Sequence, residues 1–274
     1  MKTRLLVVVA AVFALCAIAA GPAAAQLVAP NAAGVTTGHI HINAADVDAQ
    51  VKFWTAVGGK IVQREKITMV QFPGVYVLLR KQDSKGGTVG SVMNHFGFYV
   101  RDFDATVAKW KAAGLTWEPA NNPNVGQGFL TGPDSVRIEI YENKAIATPL
   151  ALHHIHLNVV DDVAAQQWYI RHFGATPGKR NTFVTANVPG AEIAISKVET
   201  ALAPMDGRSV DHIGFEVKNI DAFVAKLRAA GLKTDADIRN SANASGLRIV
   251  YVTDPWGTKI EITEGLSATP VVAP

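Results

Sequence analysis

The chain has 274 residues, of which 49% are hydrophobic and 18% charged, which is enough for two ordinary domains with buried cores. Its formal charge is only +3, and no cluster of lysines and arginines with interleaved aromatic residues occurs, so the composition argues against a nucleic-acid partner. A single cysteine excludes an internal disulfide framework.

The N-terminus predicts an export signal. Lys2 and Arg4 precede an unbroken apolar run at 5–20, and the small residues just before Gln26 provide an A-x-A cleavage site. A membrane anchor is the competing interpretation, but the run is shorter than the roughly 20 apolar residues that a spanning helix needs. Removal of 1–25 leaves 24 basic and 23 acidic residues, a formal charge of +1, and no cysteine for a thiolate metal ligand. We therefore expect a periplasmic or secreted mature protein with no membrane association.

The rest of the sequence predicts one pattern four times in succession. Helices are expected at 46–57, 104–114, 162–173 and 221–231, with acidic residues at their starts and glycine at or just after their ends. Each follows a short alternating strand and precedes β-rich sequence with turn signals such as Pro73-Gly74 and Pro189-Gly190. The prediction is an α+β protein of four βαβββ modules in two pairs.

An internal repeat divides these modules into two halves. Residues 39–43 recur as 154–158, residues 94–98 as 211–215, and residues 137–140 as 259–262. A repeat on this scale indicates duplicated structural units. We expect an N-terminal domain at 35–146 and a C-terminal domain at 150–266, with a linker at 26–34 and a tail at 267–274.

Each half carries the same three polar residues in the same order. They are His39, His95 and Glu139 in the first half, and His154, His212 and Glu261 in the second. Strand alternation places His39 and His41 on one face and the intervening isoleucines on the other, where they pack against a helix. Two histidines and a carboxylate on one enclosed face are costly to desolvate unless a cation lies among them. The pattern therefore indicates a metal site.

The chain resembles the vicinal oxygen chelate superfamily, which contains glyoxalases, extradiol dioxygenases and related resistance proteins. The resemblance extends over 35–266 and is carried by the segment 154–161, by Trp168-Tyr169 and Phe173-Gly174, and by the turn and strand at 254–261. It implies paired modules that form two tandem open barrels, each around a divalent metal. It also implies His154, His212 and Glu261 as the ligands of the second half, and His39, His95 and Glu139 as those of the first.

The resemblance also bears on the chemistry. Glyoxalase-like members supply a fourth ligand from the last strand of the first module, where this chain has Leu78 and Ala194, neither of which can bind a metal. Two histidines and one carboxylate with open positions are typical of Fe(II) oxygenases. We therefore favour an extradiol-like site with Fe(II), with Mn, Zn or Ni as other ions.

Three further residues are expected to act in the second half. Tyr251 matches the tyrosine that orients substrate in the extradiol signature, and His156 shares the strand face of His154. The signature's acid/base histidine is missing from the window at 242–244, where Asn243 can donate a hydrogen bond but cannot shuttle a proton. That absence argues against ring cleavage. In the first half Phe129 stands in place of Tyr251, which favours the second half as the active one.

Three functions follow from these features. The leading one is an exported metalloenzyme that chelates a small molecule through vicinal oxygens and either oxygenates it or stabilises its enolate. The second is a glyoxalase-type lyase or isomerase, disfavoured by Leu78 and Ala194 and by the scarcity of reduced thiols outside the cytoplasm. The third is a non-catalytic protein that binds a small molecule in the barrel. The sequence leaves homo-oligomer formation open.

Overall fold

A computed structural model describes residues 27–120 and 126–266 of the chain. The predicted signal segment at 1–25 and the tail at 267–274 lie outside the described residues. Within the described residues, no helix is both long and apolar enough to cross a membrane.

The chain forms four βαβββ modules, as predicted. The first contains β1 (Val35–Ala44), α1 (Val47–Val57), β2 (Lys60–Arg64), β3 (Ile67–Phe72) and β4 (Val75–Lys81). The second contains β5 (Met93–Val100), α2 (Phe103–Ala112), β6 (Trp117–Pro119), β7 (Gln127–Thr131) and β8 (Arg137–Glu142). The third contains β9 (Leu150–Val159), α3 (Asp162–Phe173), β10 (Thr176–Arg180), β11 (Phe183–Val188) and β12 (Ala191–Lys197). The fourth contains β13 (Val210–Val217), α4 (Ile220–Ala229), β14 (Arg239–Asn240), β15 (Arg248–Thr253) and β16 (Lys259–Glu264).

The four helices begin in the same way. The side chains of Asp46, Asp102, Asp161 and Asn219 each accept a hydrogen bond from the backbone N–H three residues further on. These bonds satisfy donors that the first turn of a helix leaves unpaired. At the other end of α3, Gly174 adopts a left-handed conformation with φ of 65°, which costs glycine nothing and ends the helix.

The modules pair across the halves. The first sheet has the order β14-β15-β16-β13-β1-β4-β3-β2 and joins the fourth module to the first. The second sheet has the order β10-β11-β12-β9-β5-β8-β7-β6 and joins the third module to the second. Each pair meets through antiparallel first strands, β1 with β13 and β5 with β9.

This pairing differs from the sequence-based expectation that the modules within each half would pair. Every module leaves its first strand at the edge of its own four strands, and such an edge can accept the first strand of any other module. The repeat therefore identifies equivalent modules without identifying partners. Each of the segments 35–146 and 150–266 contributes one module to each sheet.

One apolar core joins the two sheets. Trp54 of α1 is fully buried and lies 5.8 Å from the ring of Phe72 in the first sheet and 5.9 Å from that of Phe96 in the second. Phe173 of α3 lies 4.9 Å from Phe215 of the first sheet. Ile40 and Ile42 are buried in this core, as strand alternation predicts. The histidines of β1 consequently face the opposite side of the first sheet.

A buried hydrogen bond also connects the two sheets. The hydroxyl of Tyr169 on α3 donates to Asp254 at 3.0 Å, and the other oxygen of Asp254 accepts the backbone N–H groups of Trp256 and Thr258. Removing the donor with Tyr169→Phe should cost about 1–3 kcal/mol of unfolding free energy, because a buried carboxylate loses a partner.

Chemical denaturation followed by circular dichroism would measure this cost. Tyr99→Phe is the matched control, since its hydroxyl has no hydrogen-bond partner among the described residues, and should change stability by less than about 0.5 kcal/mol. Equal effects of the two changes would contradict a bridging role for Tyr169.

Candidate metal centres

The first centre consists of His39, His212 and Glu261, which lie on the adjacent strands β1, β13 and β16 of the first sheet. The Nε2 atoms of His39 and His212 lie 2.9 and 3.2 Å from the same oxygen, Glu261 Oε2. All three residues are buried. Two imidazoles therefore converge on one carboxylate inside the protein.

The second centre is built in the same way in the second sheet. His154 of β9 and His95 of β5 place their Nε2 atoms 3.1 and 3.0 Å from Glu139 Oε2 on β8. The two Nε2 atoms are 3.1 Å apart. These three residues are also buried.

The structure corrects the grouping of the six predicted residues. Sequence reasoning placed His154 with His212 and Glu261, and His39 with His95 and Glu139. His154 instead joins His95 and Glu139, and His39 joins His212 and Glu261, because β9 pairs with β5 and β1 pairs with β13. Each cluster takes its first histidine from one half of the chain and its other two residues from the other half.

The donor atoms of the first centre fit a divalent cation. The two ring nitrogens of His39 are buried and make no hydrogen bond of acceptable geometry within the described residues, although Nε2 lies 2.9 Å from a carboxylate oxygen. Such an arrangement is expensive if the nitrogen and the oxygen only face one another. The arrangement becomes favourable if the nitrogen and the oxygen both direct a lone pair at one bound ion. A ligand set of imidazole and carboxylate suits Zn, Fe, Mn or Ni.

The protonation states of Glu261 and His154 agree with this interpretation. At His212, burial is outweighed by hydrogen bonds to Asp211 and Glu261, which raise the pKa of that imidazole. Burial would raise the pKa of Glu261, but the neighbouring imidazoles of His212 and His39 outweigh it and hold that pKa well below its usual range. Burial lowers the pKa of His154 to about 3, so its imidazole is neutral at physiological pH. A neutral imidazole and an ionised carboxylate are the forms that bind metal.

Neighbouring side chains orient one histidine in each centre. Asp211 accepts from Nδ1 of His212 at 2.6 Å, and Asn94 accepts from Nδ1 of His95 at 2.8 Å. A proton held on Nδ1 leaves the lone pair on Nε2 directed into the cluster. The first centre has an anionic support and the second a neutral one.

Asp211→Asn should therefore weaken metal binding at the first centre by about 10- to 100-fold and leave the second unchanged. The loss of the negative charge makes Nε2 of His212 a weaker ligand for the metal. The orientation of the ring should be kept, because Asn94 already supports His95 in this way at the second centre. Competition against a chromophoric zinc chelator would measure both affinities. The reciprocal change Asn94→Asp should strengthen the second centre, and an effect of either change on the other cluster would contradict the assignment.

The register gives Leu78 and Ala194 the strand positions that Glu261 and Glu139 hold in the modules paired with theirs. Glu261 lies opposite Gly214, two residues beyond His212, and Glu139 lies opposite Gly97, two beyond His95. Leu78 and Ala194 lie in the same way opposite His41 and His156, two residues beyond His39 and His154. Neither centre receives a carboxylate from this side.

His41 and His156 lie directly opposite Leu78 and Ala194 on the neighbouring strands. Each can place a ring nitrogen within 4.8 Å of ring nitrogens of the two histidines in its centre. Both nitrogens of His41 lack hydrogen bonds within the described part of the chain, whereas Nε2 of His156 lies 2.7 Å from Ser196 Oγ. His41 is thus available as a further ligand of the first centre, while His156 is already engaged.

The predicted catalytic residues divide between the two centres. The ring of Tyr251 lies 5.2 Å from that of His212, and burial and the nearby Glu261 carboxylate raise the pKa of its hydroxyl. Tyr251 therefore belongs to the first centre and His156 to the second. Asn243 is exposed, and its backbone oxygen accepts from Lys66 of the β2–β3 hairpin, so the structure does not bring its side chain to either cluster.

The walls around the two centres differ in chemistry. In the first sheet, a set of buried apolar residues lies on or beside the histidine face: Val62, Met69, Tyr76, Leu78, Leu247 and Ile249. The equivalent strands of the second sheet present Thr185 and Glu192 to the same face, together with Gln127, which donates to Glu139 at 2.5 Å. The first centre therefore has a largely apolar wall, whereas polar side chains join the aromatic rings of Phe129 and Phe183 around the second.

Sequence reasoning missed four residues around the second centre. These are Gln127, Tyr141, His153 and Arg180. His153 is buried and stacks on Tyr99 at 3.9 Å. Gln127 could have been found from strand alternation with Phe129, but Arg180 could not, because its place depends on which modules pair.

The fold and the two clusters define a class, that of paired βαβββ modules with buried histidine–carboxylate sites. The family profile described as Glyoxalase/Bleomycin resistance protein/Dioxygenase superfamily matches residues 151–262. The cadmium-induced protein CadI of Mycobacterium tuberculosis is 32% identical over 113 residues, which are 39% of this chain and 70% of CadI. The chain belongs to the glyoxalase/bleomycin resistance protein/dioxygenase superfamily.

Solved structures agree on the fold. Glyoxalase I from Zea mays superposes with a TM-score of 0.63 at 15% identity, covering 85% of this chain and 94% of that one. A Bacillus subtilis protein whose dioxygenase assignment is provisional gives a TM-score of 0.62 at 13% identity, covering 88% and 86%. At these identities the likeness concerns architecture, and it spans both sheets.

Proposed function

We propose that this protein is an exported, metal-dependent enzyme that binds a small substrate through two neighbouring oxygen atoms. The supporting observation is the pair of clusters in which two imidazole nitrogens lie 2.9–3.2 Å from one carboxylate oxygen. Three protein donors leave further positions of a divalent ion for substrate. The proposal of export rests on the signal-like sequence of residues 1–25.

The chemistry follows from the donor set. A bound Fe(II), or Mn, Zn or Ni in its place, would act as a Lewis acid toward both substrate oxygens. Tyr251 lies beside the first centre, with its ring 5.2 Å from that of His212, and would orient a bound substrate there. Burial lowers the pKa of His156 to about 3, so this residue is neutral, and the ring nitrogen that does not face Ser196 can form a hydrogen bond with a substrate hydroxyl at the second centre.

We favour oxygenation of a vicinal diol over glyoxalase chemistry. Leu78 and Ala194 exclude the carboxylate ligand that glyoxalase-like sites would take from those positions. Two histidines and one carboxylate with open positions are typical of non-haem Fe(II) oxygenases. The exposed position of Asn243 leaves acid–base work to groups inside the clusters.

Oxygen uptake tests this proposal. The mature protein would be loaded anaerobically with Fe(II) and mixed with catechol or 3,4-dihydroxybenzoate in an oxygen electrode, and in parallel with the hemithioacetal of methylglyoxal and glutathione. We expect oxygen consumption with a diol and no thioester from the hemithioacetal. The double variant Glu139→Gln/Glu261→Gln is the control and should be inactive. Thioester formation without oxygen uptake would replace the proposal by a glyoxalase function, and tight ligand binding without turnover would replace it by a binding function.

A further inference from the structure

The guanidinium of Arg180 lies beside the second centre. Its Cζ is 5.5 Å from the ring centroids of both Tyr141 and Phe183. Tyr141 lies 6.2 Å from the ring of His154, and Phe183 lies 4.9 Å from that of His156. Arg180 is therefore one aromatic layer away from two histidines of this centre.

Arg180 has a donor without a protein acceptor. Nε donates to Glu192 at 2.7 Å, and Nη1 lies 3.5 Å from the hydroxyl of Tyr141. Nη2 is buried and has no hydrogen-bond partner within residues 27–120 and 126–266. A buried, unpaired guanidinium nitrogen costs free energy unless a ligand accepts its hydrogen bonds.

The equivalent arginine of the first sheet is used differently. Arg64 ends β2 as Arg180 ends β10, and each pairs with the first residue of the next strand across a hairpin. Arg64 donates to the backbone oxygens of Gly265 and Ser245 at 2.9 and 2.8 Å. The arginine at this position therefore links β2 to the fourth module in the first sheet. In the second sheet the equivalent arginine keeps an N–H donor without a protein acceptor.

The charges of the two centres also favour an anionic ligand at the second centre. At the first centre, Asp211 and Glu261 together balance a divalent cation, and the Lys259–Asp206 pair beside Asp211 adds no net charge. At the second, Asn94 replaces Asp211, so Glu139 alone offsets the ion, and the Arg180–Glu192 pair adds no net charge. A metal-loaded second centre therefore keeps one positive charge, which an anionic ligand would neutralise.

Building on the function proposed above, we infer that the second centre selects a small substrate that carries a carboxylate in addition to its vicinal oxygens. The vicinal oxygens would face the histidine–carboxylate cluster, and the carboxylate would accept from Nη2 of Arg180. At the first centre, Arg239 and Lys259 lie 5.5 and 5.3 Å over the ring of Tyr251. Neither has a buried nitrogen without a hydrogen-bond partner among the described residues, so this centre would not share the selectivity. Guanidinium–carboxylate pairing of this kind is short, directional and stronger than a neutral hydrogen bond.

Ligand binding to cobalt-loaded protein tests the inference without turnover. Under anaerobic conditions, 3,4-dihydroxybenzoate and catechol would be titrated into the full-length mature protein, with the visible spectrum of Co(II) and calorimetry as readouts. The two probes share the vicinal hydroxyls and differ only in the carboxylate. We expect wild type to bind 3,4-dihydroxybenzoate about 10- to 100-fold more tightly than catechol, from one charge-assisted interaction.

The variants isolate Arg180 from its partner. Glu192→Gln removes the paired anion and should keep the preference, whereas Arg180→Gln/Glu192→Gln should abolish it with little effect on catechol. Arg137→Gln is the charge control, because that guanidinium stacks 3.8 Å over Phe129 on the side of His95 and should change the preference by less than about twofold.

The outcomes separate this inference from the proposed function. Failure of the protein to bind Co(II), or a spectrum that responds to neither probe, would overturn both. Cobalt binding with equal affinities for the two probes, or a preference that survives in the double variant, would overturn only the role of Arg180. Loss of the preference in the Arg137 variant would transfer carboxylate recognition to the other side of the centre.

Discussion

Glu261→Gln is expected to remove one of two bound metal ions per chain and to leave the other in place. Glutamine keeps the size of the side chain but removes the anionic donor on which the Nε2 atoms of His39 and His212 converge. The loss of affinity at the first centre should exceed the roughly 10- to 100-fold that changes to supporting residues typically cost. Elemental analysis of dialysed protein by mass spectrometry would measure the stoichiometry.

The matched variant is Glu139→Gln, which should remove the other ion, and the double variant should bind none. The two centres lie in different sheets, and each change affects only one of them. Both single variants should therefore retain the fold and half of the metal. Loss of both ions from one single variant would show that the centres depend on one another. Retention of both ions in the Glu261 variant would refute the first centre.

Gly214→Ala is expected to abolish metal binding at the first centre as severely as loss of a ligand. Gly214 is the ladder partner of His39, and a methyl group built on it would overlap the imidazole ring well inside van der Waals distance. The ring must then leave the position that directs Nε2 at Glu261. Gly97 and His154 stand in the same relation in the second sheet, so Gly97→Ala should abolish the second centre.

Each glycine variant is the control for the other, because both add one methyl group to a buried first strand. Metal stoichiometry should fall by one in each, and circular dichroism would verify that the sheets remain. The result also tests the pairing of modules, since pairing within the halves would place Gly214 away from His39. If Gly214→Ala affected binding at His154 and spared His39, the observed pairing would be contradicted.

The periodicities of the sequence determined much of the architecture. Glycines at the helix ends and acidic residues at the helix starts located α1 and α3. Strand alternation placed Ile40 and Ile42 in the core and His39 on the opposite face. These are local properties, in which each residue's neighbours along the chain decide its environment. The six histidine and glutamate residues of the two clusters were identified for the same reason.

The composition of each cluster depended on a long-range choice that the repeat does not encode. His39 and His154 are equivalent, as are His95 and His212, so either combination of modules satisfies the pattern equally well. In the structure, modules of the same half meet instead through contacts between the two sheets, including the packing of Trp54 and the bond from Tyr169 to Asp254. The different contacts of Arg64 and Arg180 depend on which modules pair, and the sequence did not predict them for the same reason.

The two centres have diverged although they share a framework. The first combines an anionic support, Asp211, with Tyr251 and the unpaired His41. The second combines a neutral support with polar walls and the free donor of Arg180. The sequence favoured the second half of the chain as the active one. Because each centre takes residues from both halves, an activity would belong to one sheet or the other and not to one half.

Anomalous X-ray scattering from crystals of the metal-loaded protein tests the central claim most directly. Difference maps at the absorption edge of the bound metal should show two peaks, one among His39, His212 and Glu261 and the other among His95, His154 and Glu139. A single peak, or a peak shared by His154 and His212, would contradict the account of two metal centres that each combine residues from both halves.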